Sequence, residues 1–105
     1  MHAVLITFAS SANLDDLVGP FAEYATALQN VEGFVVKTWI QDGATRGGFH
    51  IFTDRHAADA DLASALVAGL TTNAAFSGFA IRHFAVLEEL SYVTGTPRPS
   101  ATMAA

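Results

Sequence analysis

The 105-residue chain contains no cysteine. Disulfides, thiolate metal sites and thiol nucleophiles are therefore excluded together. Positive charge is also scarce. Lys37, Arg46, Arg55, Arg82 and Arg98 are scattered, and the net charge is −5. Nucleic acid and anionic membranes both need clustered Lys and Arg, so neither is an expected partner. No run approaches the ~20 apolar residues of a transmembrane helix. No basic segment precedes the apolar run 3–9, so no signal peptide is expected. The default is a soluble, cytoplasmic protein. No Gly-rich loop follows a strand to cradle a phosphate, so nucleotide and flavin have no support. No serine sits in a nucleophile elbow.

Charge is low as well as lopsided. Only 14% of residues are charged, whereas 51% are hydrophobic. Typical soluble domains carry about 25% charged residues. A single small domain has a large surface to solvate, so part of it is expected to be buried in an oligomer. The domain is expected over residues 1–95. Residues 96–105, with two prolines and several alanines, are expected to be a flexible tail.

The pattern along the chain is strand, helix, hairpin, helix, strand. Residues 3–9 alternate, with Val4, Ile6 and Phe8 on one face. Apolar residues then recur at helical spacing over 14–30, with Ser10, Ser11 and Asn13 as possible caps. Pro20 conflicts with a helix interior, which predicts that Gly19-Pro20 starts the main helix. Gly33 ends it with positive φ. Strands are expected at 34–41 and 48–53, joined by a loop over 42–46 that places Trp39 opposite His50. Asp54 caps a second helix over 55–72. A long last strand is expected over 79–90, able to reach a neighbouring chain. This βαββαβ order predicts an α+β, ferredoxin-like fold. Its four-stranded antiparallel sheet has order 4-1-3-2, with both helices on one face. The hairpin strands are apolar on both faces, so the second face is expected to meet another copy of the chain.

The segments Glu32-Gly33-Phe34-Val35-Val36-Lys37-Thr38-Trp39, Gly47-Gly48-Phe49-His50-Ile51-Phe52 and Leu90-Ser91-Tyr92-Val93-Thr94-Gly95 carry a family likeness. Over residues 3–95 the chain resembles the YdhR-type monooxygenases of the dimeric α+β barrel superfamily. It departs from them in having His50 where the pattern has Tyr, and in a shorter loop before Gly47. The resemblance implies a homodimer packed sheet against sheet. It also implies a cofactor-independent monooxygenase that oxidises an activated phenolic, quinol or enolisable substrate with O₂, in a pocket between sheet and helices. Related folds carry other chemistry. A non-redox isomerase or cyclase using the same His for proton transfer, or a non-catalytic binding module, stays open.

Two histidines are the candidate catalytic residues. His50, on a central strand, would act as general base or as hydrogen-bond donor to a substrate oxygen. His83 would add a second polar contact, and Arg82 points to the opposite face. Trp39 would stack on a flat substrate. Phe52, Phe21 and Tyr24 are further candidate substrate contacts, although each also reads as core. Lys37, inside an apolar strand, needs a partner. A cross-dimer ion pair with Glu88 or Glu89 is expected. His2 and His56 are expected in solvent. His50 and His83 are separated by the first strand and have no third ligand, so no metal is expected.

Overall fold

The computed structural model describes residues 1–99. Its elements run β1 (His2–Ala9), α1 (Leu14–Leu28), β2 (Phe34–Asp42), β3 (Thr45–Phe52), α2 (Arg55–Leu62), α3 (Ala65–Thr71), β4 (Ser77–Ala85) and α4 (Glu88–Val93). The sheet is antiparallel throughout, in the order β2-β3-β1-β4. This is the ferredoxin-like α+β arrangement that the sequence predicts. Residues 100–105 of the expected tail lie outside the described residues. Within its first part, the Arg98 guanidinium covers the Tyr92 ring at 4.0 Å.

Alternation along β1 decides which face is core. Val4, Ile6 and Phe8 are buried. Val4 and Ile6 pack with Phe52 of β3 and Ala58 of α2. Phe8 packs with Leu17 of α1 and Phe76, against Phe21 and Leu70. The helices α1, α2 and α3 thus lie on one face. Burying this set supplies the main driving force at about 25 cal/mol per Å² of apolar surface. The other face carries Leu5, Phe49 and Ile40, of which Phe49 and Ile40 are exposed.

Four boundaries differ from expectation. First, α1 runs unbroken through Pro20 rather than starting there. Pro20 and its neighbours Val18 and Gly19 all lie on the exposed side. The carbonyl that loses its partner therefore faces water instead of the core. Asp15 and Asp16 in the first turn favour the helix start at Leu14.

Second, the hairpin turn is only Gly43-Ala44, shorter than the expected loop 42–46. Gly43 has φ +58, which Gly takes without strain at the first turn position of a hairpin. This tighter turn pairs Lys37 with His50, and Trp39 with Gly48. The register therefore moves by two residues from the expected one, so Trp39 keeps its face.

Third, the expected helix 55–72 is two helices. Asp54 caps α2 as expected, accepting from Ala57 N–H at 2.8 Å. Ser64 then opens α3, its hydroxyl accepting from Val67 N–H at 3.4 Å. A serine side chain offers the backbone this local alternative to continued helix.

Fourth, β4 ends at Ala85 and does not extend to 90. Glu88 and Glu89 stand in the first turn of α4, where carboxylates favour the helix dipole. Glu88 also pairs with the Met1 ammonium. The extended strand that was to reach a neighbour does not form.

Candidate functional site

The sheet register builds one polar row across the helix-covered face. Lys37 of β2 pairs with His50 of β3, His50 with Val4 of β1, and Val4 with His83 of β4. Opposite partners share a face. The row therefore puts an amine and two imidazoles into a face that is otherwise apolar.

Its β2 end borders a narrow cavity. The cavity floor is Ile6 and Phe8 of β1 with Gly47, Gly48 and His50 of β3. Lys37 and Trp39 form one wall, Phe21 and Tyr24 of α1 another, and Leu70 of α3 closes it. Its open volume is about 10 Å³, about the space of one water. Trp39 stands between this cavity and two larger surface grooves, of about 480 and 280 Å³. The Trp39 ring is 39% exposed and lies 5.0 Å, centre to centre, from the Phe21 ring. Trp39 lines the cavity and both grooves.

Gly48 makes the row possible. A Cβ at Gly48 would strike Lys37 Cε and come within 3.3 Å of His50 Cε1. Without that side chain, Lys37 lies flat across the sheet, its Nζ 3.5 Å from the Trp39 ring centre and 4.6 Å from that of Tyr24. Both are cation–π distances. Gly47 serves packing instead, since a Cβ there would strike the Ile6 carbonyl oxygen.

The polar groups around the cavity are buried and unsatisfied. His50 is 2% exposed, and neither ring nitrogen has a hydrogen-bond partner among the described residues. The Tyr24 hydroxyl and Asp61 Oδ1 are orphaned likewise. Such groups cost free energy unless something pairs with them. Burial and the Lys37 charge push His50 down to about 4, opposed by the Val4 and Gly48 backbones, which lie near enough to the ring to favour its charged form without making a well-formed hydrogen bond. His50 is thus neutral near pH 7. It is suited to hydrogen bonding and is a weak acceptor of protons. Burial lowers Lys37 to about 8, partly opposed by the negative Asp61. Tyr24 rises to about 12 through burial and the Asp61 charge. Burial raises Asp61 itself.

The cavity thus brings together His50, Trp39, Tyr24 and Phe21. Phe52 lies beneath it in the core, stacked on His50 at 6.1 Å with an interplanar angle of 11°. His83 lies beyond the central strand, its Nδ1 2.9 Å from His2 Nε2. His2 is consequently buried rather than solvated. Arg82 occupies the opposite face, 4.9 Å from the Phe84 ring. Lys37 turns to Tyr24 and Trp39 of its own chain, while Glu88 engages Met1 and Tyr92. Within the chain Lys37 lies inward across Gly48 and pairs with neither Glu88 nor Glu89. Among the described residues no group of three or more His, Asp or Glu is placed to hold a metal ion, and no helix is long and apolar enough to cross a membrane.

Asp61, whose charge acts on Lys37 and Tyr24, is the residue that sequence reasoning missed, and Lys37 is read there only as an ion-pair partner. Asp61 lies three residues after the fully buried Ala58, on the same face of α2. A carboxylate on the alanine face of a helix was the available signal.

Solved structures share this fold. SnoaB, a cofactor-independent oxygenase from Streptomyces nogalater, superposes with a TM-score of 0.68 at 19% identity, covering 83% of this chain and 93% of that one. A "putative antibiotic biosynthesis monooxygenase" from Deinococcus radiodurans gives 0.68 at 16% identity, covering 84% and 94%. MhuD, a heme-degrader from Mycobacterium tuberculosis solved with two hemes in its active site, gives 0.60 at 18%, covering 81% and 95%. No curated protein matches the sequence. Residues 4–97, almost the whole described chain, match the family described as "Putative mono-oxygenase ydhR", and the chain belongs to that family.

Proposed function

We propose that this protein is a cofactor-independent monooxygenase for a phenolic, quinol or enolisable aromatic substrate, acting as a homodimer. The observation that carries this reading is the cavity between sheet and helices. Its walls are largely aromatic, and polar side chains converge on it from α1, β2 and β3, with the Tyr24 hydroxyl and both His50 nitrogens unpaired among the described residues. Flat apolar walls with a few convergent polar atoms suit a ring bearing a hydroxyl. Trp39 and Phe21 hold the ring. His50 and the Tyr24 hydroxyl meet its oxygen. Ionising such a hydroxyl makes the ring electron-rich, so the substrate itself supplies the electrons that reduce O₂. The cavity is too small for a ring until Trp39 swings outward, so Trp39 is also the door. Family membership and the fold shared with oxygenases support the same reading.

The test is a panel of polyphenols, quinols and enol lactones added to purified protein, with Trp39 fluorescence reporting binding and an electrode reporting O₂. Binding with O₂ uptake and no added cofactor is expected. Binding with turnover but no uptake would replace the oxygenase by an isomerase or cyclase.

A further inference from the structure

The histidine that the sequence offers as a base is poorly placed to be one, and a better candidate stands beside it. His50 is buried and neutral, and the nearby Lys37 charge disfavours its protonation. Lys37 is the chain's only lysine. It reaches the cavity wall across Gly48, with Nζ between the rings of Trp39 and Tyr24. Among the described residues it forms no ion pair. The groups facing it are Tyr24 from α1, Asp61 from α2 and His50 from β3, whereas β1 and α3 present only Ile6, Phe8 and Leu70. The buried Asp61 favours its charge without forming an ion pair with it. Among the described residues the amine thus has no ion-pair partner, and it lines the same cavity as the Tyr24 hydroxyl and the His50 ring, which lack well-formed partners themselves.

We propose that Lys37 ionises the substrate: its neutral amine takes the proton from the hydroxyl of a bound phenol or enol, and the resulting ammonium stays as counter-ion to the oxyanion. The O–H bond breaks, an N–H bond forms at Nζ, and the pair is neutral overall. His50 and Tyr24 act as positioning donors to the same oxygen. This rests on the reading of the cavity as a site for phenols or enols. A base must hold its proton with strength near the working pH. Burial brings Lys37 to about 8, whereas it takes His50 to about 4.

The uniqueness of Lys37 makes the test direct. Protein grown with ¹³Cε-lysine gives one side-chain resonance, titrated with and without 4-nitrophenol. In the same samples the phenolate absorption band is followed at a pH below the free phenol's own pKa. In the wild type, the bound probe is expected to show the phenolate band, and the Lys37 midpoint to rise by about one unit or more, as an opposite charge at contact requires. Lys37→Met is expected to bind the probe as the neutral phenol. A bound probe that leaves the Lys37 midpoint unmoved would overturn the proposal in the wild type alone, whatever the variant's folding. An equal phenolate band in Lys37→Met would overturn it too. Absence of any probe binding, by Trp39 fluorescence or by the lysine resonance, would overturn the cavity reading as well.

Discussion

The Lys37 ammonium lies 3.5 Å from the centre of the Trp39 ring, so the chain's single lysine and single tryptophan are stacked on one another. A cation at this distance perturbs the indole and loses its hold when it deprotonates. Trp39 emission is therefore expected to titrate with a midpoint near pH 8, the value to which burial lowers Lys37. In Lys37→Met the emission is expected to stay flat over the same range. A wild-type midpoint near 10.5, the ordinary value, would show that the amine is in water rather than over the ring.

Stability should carry the same signature. Unfolded Lys37 keeps its proton to about 10.5, and the folded protein releases it near 8. The unfolded state binds more protons between these values, so stability rises with pH across that window. Tyr24 opposes this only above pH 10, where its raised value makes the folded state hold its proton longer. Urea unfolding of wild type and Lys37→Met at pH 7 and pH 9.5 isolates the Lys37 contribution. The wild type is expected to gain relative to the variant at the higher pH.

Gly47 and Gly48 are adjacent, and their substitutions are expected to part company. A Cβ at Gly48 meets the far end of a flexible lysine, and at Gly47 it meets the Ile6 backbone. Gly48→Ala should displace Lys37 from Trp39, abolish the emission titration and cost ~1–2 kcal/mol of overpacking. Gly47→Ala forces the β1–β3 pair apart and should cost more, ~3 kcal/mol or above, because the backbone cannot rotate away. Urea midpoints order the two. An unchanged emission titration in Gly48→Ala would contradict the role assigned to that glycine.

The fold was legible because its signals are local and repeated. Alternation in β1, the Asp54 cap and the position of Gly33 each depend on neighbours a few residues apart. Gly33 has φ +80, and its carbonyl accepts from Thr53 N–H at 2.8 Å. The misses came from residues whose role depends on something distant. Pro20 is tolerated because its side of α1 faces water. Glu88 stands in the first turn of α4 and pairs with the ammonium of Met1 at the far end of the chain. Lys37 reads in the sequence as a charge inside an apolar strand in need of a partner, and only the register that sets it beside Gly48 shows the space inside. Asp61 was invisible for the same reason, since its burial is decided by what packs over α2.

His50 should make the protein sensitive to acid. Its ordinary value of 6.5 falls to about 4 in the folded state. The unfolded chain thus binds the proton first, and stability is full above pH 6.5 and lost as pH falls toward 4. The differential is ~3–4 kcal/mol at about 1.4 kcal/mol per unit. Asp61, whose raised value works in the opposite direction, and His2, whose lowered value works in the same one, are present in both proteins when wild type is compared with His50→Gln. The variant is expected to start less stable at pH 7 and to lose less on acidification. Parallel acid profiles for the two would show that His50 is solvated or charged.

The uncovered sheet face makes the last prediction. Phe49 stands at its centre, paired with Leu5 on one side and Thr38 on the other, and it is 37% exposed while Ile40 is 42% exposed. A charged side chain at Phe49 replaces a partly solvated ring, so it should disturb the single chain little. In a dimer packed sheet on sheet it would bury an unpaired carboxylate from each copy at the centre of the interface, which costs several kcal/mol. Light scattering is expected to give twice the 11.0 kDa chain mass for the wild type and the chain mass for Phe49→Asp, with unchanged circular dichroism. A stable interface of this kind needs about 800 Å² from each partner. A wild type that is monomeric at micromolar concentration would leave this face without the proposed partner. A dimer unaffected by Phe49→Asp would mean that the copies meet through another surface, with the apolar stripe of Leu87, Leu90 and Val93 around α4, all of them exposed, as the next place to substitute.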